Sequence, residues 1–331
     1  MENAKKETPL SFSLKGHSKS DILMKLVPFL AFIALFIAYV LMMRGAIAKR
    51  GFGDLLSTIF NQVTTVAIAS IGAIFMYAMG GFDLSFGAAC AMSAMCGVIV
   101  YNSTGNIFLL FIVAIAVAVL IGLINSALAG LLKLPVFIAS IASTTVISAL
   151  LVNLLRLQQG GRITVNSSLF ADAFWYKILA LGLFFLAIEF IFCFTPLGRQ
   201  AKAIGTNPVN AELSGISILK TTILAYVISG IGVGLAAALW IPANRTVSTA
   251  TASSLGLDVM IALVFGAMPL SGGPHSRVSS ALLGAFTSVL ISQIMVVLNL
   301  SYYSGLVKGI IYIFFVFIAN IGTKRANLLP K

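Results

Sequence analysis

Three carboxylates sit in stretches that are otherwise apolar: Asp83, Glu189 and Asp258. An acid at mid-bilayer costs about 2.5–3.5 kcal/mol on insertion scales, so each needs a partner or a task. Asp83 lies in GGFDLSFG, Gly80 to Gly87, where glycines and Ser85 permit a tight turn and expose backbone groups to a carboxylate. Two readings stand there: a gate or pathway element, or a carboxylate capping the next helix N-terminus. Glu189 and Asp258 suit structural pairing with Lys or Arg. Asn61, Gln62, Thr65 and Asn125 put uncharged polar groups inside apolar runs. Such groups either line a polar path or bond helix to helix.

Other chemistry is missing from the sequence. There is no GxxxxGK[ST] phosphate loop, no HExxH and no GxSxG elbow, and the only histidines are His17 and His275. The chain carries no ATP-hydrolysing site of its own and no metal-ligand set. Cys90, Cys96 and Cys193 lie in apolar runs without CxxC spacing, which reads as buried free thiols.

The elements that must position these residues follow from composition. Apolar types make up 60% of 331 residues and charged types 9%, too little polar surface to coat a water-facing globule. Between Leu55 and Leu132 the only charged residue is Asp83. Each crossing of a ~30 Å hydrocarbon layer needs roughly 20 helical residues, so that run must contain several spans. A membrane β-barrel would alternate apolar and polar residues, whereas these runs are apolar on all sides. The expected fold class is an all-α polytopic membrane protein of about ten transmembrane helices, some short or broken. The segments are roughly 22–43, 57–79, 84–101, 107–132, 135–155, 176–195, 220–242, 254–268, 278–299 and 303–321. The third and eighth are short and Gly-rich, as a broken or incompletely spanning helix would be.

The chain therefore divides into an N-terminal tail, 1–21, one transmembrane domain, 22–321, and a C-terminal tail, 322–331. Lys5, Lys6, Lys15, Lys19 and Lys25, then Arg199, Lys202 and Lys220, and finally Lys324, Arg325 and Lys331 mark cytoplasmic flanks. Ten spans place both termini and the 196–219 loop on that side, while Arg44, Lys49 and Arg50 fall in the first outward loop against the rule. The N-terminal tail lacks a cleavage site and is not a cleavable leader. The net charge of +12 then serves topology and contact with anionic lipid rather than nucleic acid.

Two further segments stand out. FGAMPLSGGPHSR, Phe265 to Arg277, contains a second Gly-rich break around Ser271. Aligned with GGFDLSFG it matches Gly80 with Gly266, Leu84 with Leu270, Ser85 with Ser271 and Gly87 with Gly273. Interrupted segments in corresponding halves are a feature of internally repeated transporters; chance similarity is the other reading. The longest internal polar loop, 196–219, holds PVNAELSGI, a short helix starting at Pro208 and ending at Gly215. It is either a connector or a docking element for a soluble motor domain.

The sequence resembles the permease subunits of bacterial ABC importers for ribose and other monosaccharides, a group that includes autoinducer-2 permeases and is related to branched-chain amino acid permeases. GGFDLSFG, LPVFIASIAS from Leu134, LGRQAKAIGTNPVNAELSGI from Leu197, LDVMIALVFGAMPLSGG from Leu257 and SYYSGLVKGIIYI from Ser301 carry the likeness in order. It implies the ABC importer permease fold and a bacterial inner-membrane location. The implied partners are a second permease chain, identical or homologous, a cytoplasmic ATPase that uses ATP and Mg, and an extracytoplasmic solute-binding protein, with no cofactor on this chain. It also implies a coupling helix over Gly205, Thr206, Asn207, Pro208, Asn210, Glu212, Leu213, Ser214 and Gly215, and family acids at Asp83 and Asp258. The sequence departs from the pattern at Pro208, Glu212 and FGAMPLSGG, so neither ribose itself nor a particular ATPase follows. A permease for branched-chain amino acids or nucleosides is the neighbouring alternative. A secondary transporter is the alternative of another class, and a membrane enzyme a more distant one.

Overall fold

The computed structural model describes residues 19–132, 134–165, 174–269 and 271–313. The tails at 1–18 and 322–331, Leu270 and the end of the last expected span lie outside them. The helices are α1 (Lys19–Met42), α2 (Arg44–Arg50), α3 (Phe52–Gly72), α4 (Ile74–Ala78), α5 (Phe86–Thr104), α6 (Ile107–Gly130) and α7 (Val136–Arg156). They continue with α8 (Phe174–Phe194), α9 (Pro196–Thr206), α10 (Pro208–Leu213), α11 (Ile218–Asn244), α12 (Leu255–Phe265) and α13 (Val278–Val297). A further helical run covers 304–313.

Among the described residues, seven helices are long and apolar enough to cross a membrane: α3, α5, α6, α7, α8, α11 and α13. The apolar part of α1, Pro28–Met42, and α12 are shorter. The chain is thus a multi-pass helical membrane protein. Seven of the ten expected segments are full-length apolar helices among the described residues, and the first, eighth and tenth correspond to the shorter apolar part of α1, to α12 and to a last helix described only as far as 313. The third expected segment is not a broken helix. It forms α5 over 19 residues, and the break precedes it at 80–85.

The burial pattern fits a lipid solvent. The most apolar spans, α6 and α8, are the most exposed, whereas the less apolar α3, α5 and α11 are mostly buried. Where the surroundings are hydrocarbon, outward faces take large apolar side chains, and interiors hold small residues that let backbones approach. Phe108, Leu120, Leu186 and Phe190 accordingly point outward. Helix α11 is central, packing along α6, α3 and α5. A Cβ placed on Gly230 would lie 2.8 Å from the Val119 Cα, and one on Gly122 would lie 2.8 Å from the Tyr226 carbonyl oxygen. The α6–α11 crossing is therefore nearly backbone on backbone.

The connections fall into two clusters. In one, Gly273 N–H donates to the Ala78 carbonyl at 2.8 Å, a Cβ on Gly81 would meet Val136 at 3.3 Å, and Gly130 abuts Leu219 and Gly205 abuts Ala78. In the other, β1 (Ile163–Thr164) pairs antiparallel with β2 (Thr246–Val247). There Val165 N–H donates to the Arg245 carbonyl at 2.9 Å, and Asn102 Nδ2 donates to the Thr164 carbonyl at 2.8 Å. Along the chain the clusters alternate after α4, α5, α6, α7, α8, α11 and α12, so each helix from α5 to α11, with α9 and α10 set aside, runs from one end to the other. Helix α12 rises only ~16 Å. It closes that circuit because the preceding turn dips inward: a Cβ on Gly87 would lie 2.6 Å from the Ala252 carbonyl oxygen.

Candidate functional site

Asp83, Ser85 and Asn125 come together. The Asp83 carboxylate accepts from Ser85 N–H at 2.6 Å, which closes the turn into α5 in the manner of a helix-start cap. Asn125 on α6 donates from Nδ2 to Ser85 Oγ at 2.8 Å and accepts through Oδ1 from Ser143 Oγ of α7. Ser140, one turn earlier on α7, accepts from Leu84 N–H at 3.2 Å. Three helices and the break are thereby tied by one buried network. Asp83, Ser85 and Asn125 are almost wholly enclosed. A small cavity beside them is also lined by Tyr226 and Ser229 of α11 and has room for about one water molecule. The Tyr226 hydroxyl has no hydrogen-bond partner among the described residues.

The other candidates lie elsewhere. Asn61 on α3 accepts from Lys177 Nζ of α8 at 2.7 Å, which is interhelical bonding. Gln62 is exposed on α3 and Thr65 is buried one turn deeper. Asp258, at the start of α12, accepts from Lys308 Nζ at 2.5 Å and from Ser254 Oγ at 2.8 Å. That buried ion pair ties α12 to the last helix. Ser271 is exposed in the turn after α12. Glu189 Oε1 accepts from Cys193 at 3.3 Å, and Cys193 is exposed rather than buried like Cys90.

The proposed alignment of the two Gly-rich breaks does not superpose equivalent backbones. Gly80 has φ +80 while Gly266 has φ −72. Ser85 is buried at a helix start while Ser271 is exposed in a turn. The breaks are instead in contact with each other through Gly80 and Ser271.

The 196–219 loop is largely helical. Pro196 begins α9 and Pro208 begins α10, each at a first-turn position whose missing N–H costs nothing. The Asn207 side chain caps α10, accepting from Asn210 N–H at 3.1 Å. Gly215, at φ +82, closes the element. Helix α9 is held to the bundle: Gly198 abuts the Phe192 carbonyl, and Lys202 Nζ sits 4.4 Å from the Phe192 ring centroid. Helix α10 protrudes, with Val209 and Leu213 exposed four residues apart, Leu213 at 82%.

Lys308, Lys177, Ser140, Ser143 and Tyr226 were not anticipated as parts of these arrangements. Lys308 had a legible signal, a lone cation within the last apolar run. The two serines had none, because Ser within a span is common.

A bundle of apolar helices with lipid-type outward faces and interrupted segments defines a multi-pass membrane protein. The chain belongs to the family of branched-chain amino acid transport system / permease components, which matches residues 55–316. It is similar to the ribose import permease protein of Bacillus subtilis, 28% identical over 302 residues, covering 88% of this chain and 91% of that one. The ribose import permease protein of Haemophilus influenzae is 26% identical over 285 residues, 82% of this chain and 87% of the relative. The autoinducer 2 import system permease protein of Photorhabdus luminescens is 23% identical over 258 residues, 76% and 78%.

Proposed function

We propose that this chain is the membrane-spanning permease subunit of an ABC importer for a monosaccharide or similar polyhydroxylated solute. The observation that carries the reading is the match to ribose import permeases over most of both chains combined with a protruding, Asn-capped α10 on a clamped α9. An exposed Val209 and Leu213 pair on a short rigid helix is suited to a hydrophobic cleft in a soluble partner. The partner in this reading is a cytoplasmic ATPase, which supplies the ATP and Mg chemistry. A second permease chain and an extracytoplasmic solute-binding protein complete the machine. The end bearing α9 and α10 faces the cytoplasm, as do both termini.

Transport then follows by alternating access. ATP turnover displaces α10, the bundle rearranges, and the path opens on one side and then on the other. The Asp83–Ser85–Asn125 network sets how the break before α5 is held during that change. The family description favours a second reading, branched-chain amino acids as solutes. Co-expression with a cytoplasmic ABC ATPase and an extracytoplasmic solute-binding protein tests both. ATP-dependent uptake of labelled ribose, arabinose or fructose into proteoliposomes supports the first, uptake of labelled leucine supports the second, and gradient-driven uptake by the chain alone refutes both.

A further inference from the structure

Three chain segments meet at the Ala78 carbonyl. It accepts from Gly273 N–H at 2.8 Å. A Cβ on Gly272 would overlap the same oxygen and would lie 2.7 Å from both the Gly80 N and the Tyr77 O. A Cβ on Gly205, at the end of α9, would also overlap that oxygen and would lie 2.7 Å from Gly273 N. On the far side, a Cβ on Gly80 would meet the Ser271 carbonyl oxygen at 3.1 Å. Gly80 and Gly272 have φ of +80 and +69, so neither position suits an L side chain on backbone grounds either. At Gly80, Gly205 and Gly272 the contact is backbone against backbone. Side-chain rotation therefore has no part in it, and close-packed material of this kind passes displacement on rather than absorbing it.

The three segments are not incidental ones. Gly205 precedes Asn207, the cap of the protruding α10. Ala78 ends α4 and leads into the break that holds Asp83. Gly272 and Gly273 follow α12, whose first turn touches the other end of that break: a Cβ on Gly256 would lie 2.5 Å from the Leu84 carbonyl oxygen. We propose that the Gly205–Ala78–Gly272–Gly273 junction is a mechanical relay. A displacement of α10 reaches Gly205 and moves both Gly-rich breaks together, making Gly80 and Gly272 positioning residues for transport. The proposal rests on the reading of α10 as the ATPase-docking element.

The test uses the assembled transporter with Cys90, Cys96 and Cys193 replaced and Ser271→Cys introduced as a reporter at an exposed position. The measurement is the rate of N-ethylmaleimide labelling with and without ATP, taken only on complexes that retain the ATPase. ATP is expected to change that rate about threefold or more in the reporter background. Gly105→Ala is the control, with φ +66 but open space around it, and it keeps the full response. Gly80→Ala halves the response and Gly272→Ala abolishes it. Should Gly272→Ala fail to assemble, the milder Gly80→Ala decides. An unchanged ATP response in the assembled Gly80 or Gly272 variants overturns the relay, as does a reporter that ignores ATP. A parent chain that never captures the ATPase overturns the docking reading beneath it.

Discussion

At the scale of single residues, the chain handles polar groups in hydrocarbon by mutual satisfaction. Asp258 and Lys308 illustrate the cost: removing one member of a buried pair strands a charge, a loss of about 3–5 kcal/mol, while replacing both with neutral groups is often nearly neutral. Lys308→Met should therefore lower the thermal midpoint in detergent by several degrees. The double variant Asp258→Asn with Lys308→Met should recover most of that loss, and the comparison of the two midpoints is the measurement. Asn125 is the other keystone, since it bridges Ser85 and Ser143. Asn125→Ala leaves two buried hydroxyls short of a partner and should destabilise by about 1–3 kcal/mol, read in the same assay. Asn125→Asp, by adding a second carboxylate near Asp83, should be worse than Asn125→Ala.

At the scale of elements, the informative unit is α9 with α10. Helix α10 has only six residues, far too few to be stable alone. It is held by the Asn207 cap at one end, the Gly215 turn at the other, and Ala211 buried beneath it. Asn207→Ala should cost about 1 kcal/mol of local stability and speed amide exchange in residues 209–213 without touching the rest of the bundle. Leu213→Asp removes the exposed apolar knob while leaving the helix intact. Pull-down of the ATPase should fall by about tenfold or more, the size of a hot-spot loss, with normal insertion of the chain. Equal pull-down by the Leu213 variant would remove α10 from the docking surface.

At the scale of the molecule, the two clusters of connections define two ends of the bundle, and membrane orientation is the corresponding prediction. In a background without native cysteines, a cysteine at Leu213 should react with a membrane-impermeant maleimide only in inverted vesicles. One at Ser103, beside the β1–β2 ribbon end, should react only in intact spheroplasts. The same side for both positions would contradict the alternation of ends from α5 to α12. The excess of Lys and Arg around 199–220 predicts the sidedness. Arg44, Lys49 and Arg50 pull the other way, on the short helix α2 that follows the first span.

The sequence by itself determined the solvent. Sixty per cent apolar and nine per cent charged residues require lipid-facing helices, because an unpaired backbone in hydrocarbon is too costly for any other element here. It determined most helix positions too, since length and hydropathy are properties of contiguous residues. Pro208 and Gly215 are local signals that bounded α10 in the same way, whereas Pro196 read as a turn and instead begins α9. What only tertiary structure decided were relations between distant positions: Lys308 with Asp258, Asn125 with Ser85 and Ser143, and Gly205 with Ala78 and Gly272. Along the chain a Ser in a span or a Gly at a helix end is the same symbol whether it faces lipid or another backbone. Its role is set by which segment approaches it. The two Gly-rich breaks show this most directly, since similar letters suggested a repeat and the fold made them each other's neighbours.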